Sequence, residues 1–176
     1  MNRPISIGVS ACLLGHRVRH DGDHRLQPTI KDDLEELFQL QPICPEVESG
    51  MGVPRTPIQL VETRYGVRAL EIQDPGKDYT QKLGQVAKDW VCANPAICGL
   101  ILKSKSPSCG LGSTKIFNQA GEISAATGYG VFAQTVRDLL PGIPYIDEIQ
   151  FSDQQARIQF IHAVQHYHSA SNSMDI

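Results

Sequence analysis

No apolar run in this 176-residue chain approaches the roughly 18–20 residues of a bilayer-crossing helix. An excess of one charge is also missing, since 16 Lys and Arg face 19 Asp and Glu for a net charge of −3. That near-balance argues against a protein whose main work is gripping nucleic-acid backbone or an anionic membrane. Internal repeats, low-complexity tracts and Gly/Ser linkers are absent, so nothing in the composition divides the chain. No close Cys-x-x-Cys pair occurs, and five cysteines are too few, and odd in number, for a disulfide scaffold. A secretory signal is lacking too. Val9-Ser10-Ala11-Cys12 imitates a lipoprotein cleavage box, but the apolar stretch Ile5–Val9 before it is shorter than a signal core of roughly 7–15 residues. A cytoplasmic protein using thiol or metal chemistry is the expectation.

What is present fits an ordinary globular protein, with 41% apolar and 20% charged residues in a length that builds one core. Ile5–Ala11 reads as a buried strand, Ile30–Leu40 as a helix and Gln41–Cys44 as a second strand stopped by Pro45. Ile58–Val61 and Val67–Ile72 flank Thr63-Arg64-Tyr65-Gly66 as a hairpin excursion. Leu83, Val86, Ala87, Trp90 and Val91 make an amphipathic helical stripe that Asn94-Pro95 ends. Gly99–Leu102 is a further strand, Phe132–Leu140 a helix and Tyr145–Ile149 a last strand. Ser152 with Gln155 resembles a capping box opening a C-terminal helix, with a frayed tail over Ser169–Ile176. The expected fold is α/β: one compact, Rossmann-like domain with a mainly parallel sheet flanked by helices. Residues 1–150 form its body, and residues 151–176 are a helix and tail packed on it.

In parallel sheets, ligands gather beyond the carboxyl ends of the strands. Cys12 follows the first strand, Cys44 ends the second, and Cys109 lies in the loop after Gly99–Leu102. Topology can therefore bring these three thiols together although they are distant in sequence. Cys92 and Cys98, at a helix end and just before a strand, are assigned to packing. Three converging thiolates leave several chemistries open. Zinc usually wants a close pair of cysteines, a lone nucleophile wants a base, and an iron–sulfur cluster tolerates dispersed ligands.

The segments around these cysteines resemble the thiouracil desulfurase (desulfidase) family, formerly a bacterial domain of unknown function. The matching stretches are Val9-Ser10-Ala11-Cys12-Leu13-Leu14-Gly15 and Arg19-His20-Asp21-Gly22, then Cys44-Pro45-Glu46-Val47 continuing through Gly50–Pro57. The last runs from Leu102 through Ser106-Pro107-Ser108-Cys109-Gly110. The resemblance implies that Cys12, Cys44 and Cys109 hold a [4Fe-4S] cluster with one open iron. It also implies non-redox removal of sulfur from a 2-thiouracil-like pyrimidine, with Glu46 and Ser106 as catalytic side chains. Ser108 and Arg55 are further candidates for substrate contact. The longer relatives with an additional C-terminal domain are not matched, so that domain's function is not expected here. A cluster on three cysteines is expected to be labile in air.

Each of these residues also has a plainer reading. Glu46 could cap a helix or form a surface pair, Arg55 could anchor structure, and Ser108 could cap a helix or bond a cluster sulfur. His16, His20 and His24 recur every four residues, yet Asp21-Gly22-Asp23 marks an irregular loop there. His162, His166 and His168 read as exposed. Arg17, Arg19, Arg25, Lys103 and Lys105 could rim the strand ends and favour a thionucleotide or thiolated RNA, against a default of scattered surface charge. No membrane and no obligatory protein partner are expected. The competing readings are a thiolated-nucleotide or metal-binding module without turnover, and a cysteine- or zinc-dependent hydrolase.

Overall fold

The computed structural model describes residues 4–173. Its first sheet has four parallel strands in the order β2-β1-β5-β8, namely Gln39–Ile43, Ser6–Ser10, Ile97–Leu102 and Tyr145–Asp147. Every residue of β1 and β5 is buried, as expected for inner strands covered on both faces. On one face Ile7, Val9 and Ile101 pack with Ile30 and Leu34 of α1 (Pro28–Leu34) and with Phe160 and Val164 of α6 (Gln154–Ser173). On the other, Leu100 and Leu102 meet Ala87 of α3 (Thr80–Ala93) and Phe132, Ala133 and Val136 of α4 (Val131–Leu139). Two faces that each bury aliphatic side chains make the sheet a rigid platform.

The expected hairpin is half of a larger unit. β3 (Ile58–Thr63) and β4 (Gly66–Glu71) pair antiparallel, and β3 also pairs in parallel with β6 (Thr114–Phe117). With β7 (Ile123–Gly128) they make a second four-stranded sheet, in the order β4-β3-β6-β7. Ile58, Leu60 and Ala69 on this sheet pack against Leu83 of α3. β6 and β7 escape a sequence reading because they are short and rich in small or polar residues, without the alternation of a half-buried strand.

Several element ends differ from expectation for identifiable reasons. The first helix stops at Leu34, six residues early, because Leu40 is drawn into strand pairing opposite Ile7. Leu37, expected on the apolar stripe, is exposed. Pro42 sits inside β2, which is tolerated because β2 is an edge strand with one side free of ladder bonds. The last strand ends at Asp147, whose carboxylate accepts the Gln150 amide (2.8 Å) in the capping box of α5 (Glu148–Phe151). Ser152 does not cap the next helix, since its hydroxyl donates to the Ile149 carbonyl. Asp153 accepts the Ala156 amide instead. Ser169–Ser173 continue α6, and the remainder of the expected frayed tail lies outside the described residues.

Candidate active site

Parallel pairing aligns the carboxyl ends of β1, β2 and β5, with Ser10 opposite Ile43 and Val9 opposite Ile101. Cys12 follows directly in a 3-10 turn (Ala11–Leu14), and Cys44 stands between β2 and α2 (Pro45–Glu48). The chain after β5 runs through Lys103 to a tight turn that carries Cys109, in which the Gly110 amide donates to the Ser106 carbonyl (2.8 Å). All three cysteines line one cavity of about 340 Å³, together with Glu46, Arg55, Ser106 and Ser108. The β-ends thus bring every candidate side chain to one place.

The Ser106–Gly110 turn owes its position to α4. The first amides of that helix have no partner within it. Here Val131 N–H donates to the Pro107 carbonyl (3.0 Å) and Ala133 N–H to the Ser108 carbonyl (3.1 Å). Gly130 makes this approach possible, because a Cβ there would stand 2.4 Å from the Ser108 carbonyl carbon. Thr114, at the start of β6, closes the turn from the other side by donating to the Ser106 carbonyl (2.8 Å).

Glu46 is held by both carboxylate oxygens. Oε2 accepts from Arg55 Nε (2.8 Å) and Oε1 from the Ser108 hydroxyl (2.9 Å). Arg55 Nη1 reaches the carbonyls of Val18 and Gly52 (both 2.9 Å), so one guanidinium fastens the loop after Cys12 to that after Cys44. Ser106 Oγ accepts the Cys109 amide (3.0 Å) and lies 3.0 Å from Ser108 Oγ. Ser108 lines the cavity but is only 2% exposed, and its hydroxyl is engaged by Glu46 and Ser106.

Burial governs the thiols. It pushes Cys12 up to about 11, reinforced by the Cys44 thiol and opposed by Arg19 and Lys103. Cys109, fully enclosed, is pushed up to about 12 by burial, against a hydrogen bond from Ser10. Cys44 is raised by burial as well, and donates weakly to the Val18 carbonyl (3.6 Å). Without a counter-charge these are neutral thiols, and bound cationic iron would reverse that balance by deprotonating them. Among the described residues no group of three or more His, Cys, Asp or Glu is placed to hold a single metal ion. A cluster asks for something else, because its thiolate ligands bind different iron atoms around a wider core. Three thiols on one cavity, fed by cationic side chains, suit that demand.

Some contributors were not visible in sequence. Ser10 is buried, accepts the Lys103 amide (2.9 Å) and touches the Cys109 thiol; its only signal was its place two residues before Cys12. Glu148 is buried and pairs with Lys103, while accepting the Ser104 amide and hydroxyl (both 2.7 Å). Nothing near Glu148 in sequence signalled this. Of the expected basic rim, Arg19, Arg25, Lys103 and Lys105 line the cavity, and Arg17 is not among its lining residues. Arg19 and Arg25 face Asp21 (3.4 and 3.8 Å).

The remaining candidates stand apart. His16, His20 and His24 occupy irregular loop, and only His20 reaches the cavity. His162 and His166 are exposed on α6, while His168 Nδ1 lies 3.6 Å from the Cys98 thiol. Cys98 is buried, inside β5 rather than before it. Cys92 is exposed, which overturns its assignment to packing: its position on α3 faces away from the buried Leu83–Ala87 stripe.

A family model described as 2-thiouracil desulfurase matches residues 7–148. The chain belongs to the 2-thiouracil desulfurase family. It is accordingly an enzyme. A solved structure of a [4Fe-4S]-dependent thiouracil desulfidase, TudS, is similar with a TM-score of 0.65 and 28% sequence identity. The match covers 88% of this chain and 97% of that chain. No curated protein sequence matches. The family match takes in all three cavity cysteines, Glu46, Arg55, Ser106 and Ser108, and ends at Glu148.

Proposed function

We propose that this enzyme converts a thiolated pyrimidine of the 2-thiouracil type to its oxo form, releasing sulfide without net redox change. The observation that carries the reading is that Cys12, Cys44 and Cys109 converge on one cavity with Glu46 and Ser106. Family membership and likeness to TudS support it. Cys12, Cys44 and Cys109 are the residues that would hold the cofactor. When bound there, a [4Fe-4S] cluster with one iron free of protein ligands supplies a soft Lewis acid suited to a thiocarbonyl sulfur.

The chain's own side chains do the rest. Water contributes the new carbonyl oxygen, and its two protons leave with the sulfur as hydrogen sulfide, so no electrons are exchanged. Glu46, pinned by Arg55 and Ser108, takes a proton from the attacking water. Ser106, fixed by the Cys109 amide, supplies the hydroxyl that hydrogen-bonds the pyrimidine. Most rim cations already face carboxylates, which favours a thiolated base or single nucleotide over RNA, since RNA is held mainly through phosphates.

Reconstitution with iron and sulfide in the absence of oxygen, followed by addition of 2-thiouracil, tests the proposal. Stoichiometric uracil and sulfide are expected, with a loss of about 100-fold or more in Glu46→Ala. A fully loaded wild-type protein that releases no sulfide overturns the assignment. Full activity of Glu46→Ala removes Glu46 from it.

A further inference from the structure

We infer that Ser108 is a positioning residue that joins Glu46 and Ser106 into one directed hydrogen-bonded chain. The inference rests on the proposed desulfidase reading and assigns a role that this reading does not need. Its basis is a count of protons. Ser108 donates its hydroxyl to Glu46 Oε1 across a 2.9 Å contact, while the other carboxylate oxygen accepts from Arg55 Nε. A serine carries one hydroxyl proton, which leaves Ser108 Oγ only as an acceptor toward Ser106, 3.0 Å away. Ser106 Oγ meanwhile accepts the amides of Cys109 (3.0 Å) and, at longer range, Ser108 (3.3 Å), so in the substrate-free enzyme its proton points to Ser108, the direction from which it turns to the pyrimidine. The chain therefore runs Ser106 to Ser108 to Glu46, in one direction. The Cys109 sulfur, at 3.9 Å from Ser108 Oγ, is the weaker partner.

This is a side-chain role separable from folding. The turn itself is held by main-chain bonds, from Val131 to Pro107, from Ala133 to Ser108 and from Gly110 to Ser106. Deleting the Ser108 hydroxyl leaves those bonds in place. What it removes is the donor on Glu46 Oε1 and the acceptor that orients the Ser106 hydroxyl. Both catalytic groups then lose their fixed direction, although neither is altered.

The test compares loaded wild-type enzyme with Ser108→Ala, Ser106→Ala and the double variant. In Ser108→Ala, kcat is expected to fall about 10- to 100-fold, the range for losing a hydrogen bond to a charged group. KM, iron content and visible absorbance stay at wild-type values. Adding Ser108→Ala to Ser106→Ala is expected to cost less than about threefold more, because groups acting as one unit are not additive. Ser108→Thr, which keeps the hydroxyl, recovers most of the activity. Infrared difference spectra with and without carboxylate-labelled glutamate show a Glu46 band that shifts in Ser108→Ala and not in Ser108→Thr. An unchanged kcat, fully multiplicative losses or an unmoved carboxylate band overturns the inference. If wild-type enzyme releases no sulfide, the functional reading falls, while the infrared comparison still decides the Ser108–Glu46 link.

Discussion

Replacing Arg55 by methionine separates the contribution of burial to the Glu46 ion pair from that of contact distance. Arg55–Glu46 and Arg68–Asp78 are both 2.8 Å Nε–carboxylate contacts, and they differ in exposure. The Arg55 and Glu46 side chains are 6% and 12% exposed, against 28% and 31% for Arg68 and Asp78. Methionine keeps much of the apolar stem in either position, so the charge and its hydrogen bonds are what is lost. Removing one member of a buried pair costs about 3–5 kcal/mol, because the other charge is left in a poorly solvated place. An exposed pair contributes about 0–1 kcal/mol. For a domain of this size each kcal/mol moves Tm by about 2–4 °C, so Arg55→Met is expected to lose about 6–20 °C and Arg68→Met at most about 4 °C. Arg55 also donates to the Val18 and Gly52 carbonyls, which places the expected loss in the upper part of its range. Thermal unfolding of both variants by circular dichroism, at matched iron loading, gives the comparison. Equal losses in the two variants would refute the reasoning.

Three other expectations follow from named contacts. Serine at Cys12, Cys44 or Cys109 abolishes iron retention after anaerobic reconstitution, while Cys92→Ser and Cys98→Ser retain it; iron per chain and visible absorbance give the answer. Glu148 is buried, and burial alone would raise its pKa, but bonds from Lys103 and Ser104 outweigh this and hold it below the ordinary 4.5. A carboxyl lowered in the folded state stabilises above its unfolded pKa, and that stability is lost as pH falls through the folded value. Glu148→Gln should therefore lose about 2 kcal/mol near pH 7, with the gap to wild type closing in urea titrations below about pH 4.5. In Gly130→Ala the new methyl would meet the Ser108 carbonyl oxygen at 2.5 Å and the Cys109 nitrogen at 2.6 Å. A cost of about 1–3 kcal/mol with weakened iron retention is expected, and wild-type values for both would show that the turn can move aside.

Much of the site was legible because parallel strands end where ligands bind. A buried apolar run followed by a cysteine places Cys12 without coordinates, and for Cys44 the signal is a short edge strand stopped by Pro45. Cys109 needed more, since six residues lie between it and the end of β5, and tertiary bonds from α4 and Thr114 fold that loop back onto the cavity. Glu46 and Ser106 entered through family motifs, whereas their coupling through Ser108 came from side-chain geometry. Ser10 lay in a matching stretch with no role assigned and Glu148 had no signal, because both meet Lys103 only across 93 and 45 residues of sequence.

The sequence by itself determined the α/β class, the place of Cys12 and Cys44 at strand ends, and the absence of an apolar run long enough for a membrane-spanning helix. These follow from local periodicity and from residue types at chain breaks, which need no knowledge of distant neighbours. Tertiary structure alone decided that the hairpin is half of a second four-stranded sheet, because strand partners are chosen by packing and not by propensity. It also decided which polar side chains are shared among loops. Hydrogen bonds such as Arg55 to Val18 or Ser108 to Glu46 depend on ångström-scale positions that the whole core fixes. The cysteine shortage that opened as an exclusion of disulfides thus resolves into three thiols on one cavity, one within β5 and one exposed to solvent.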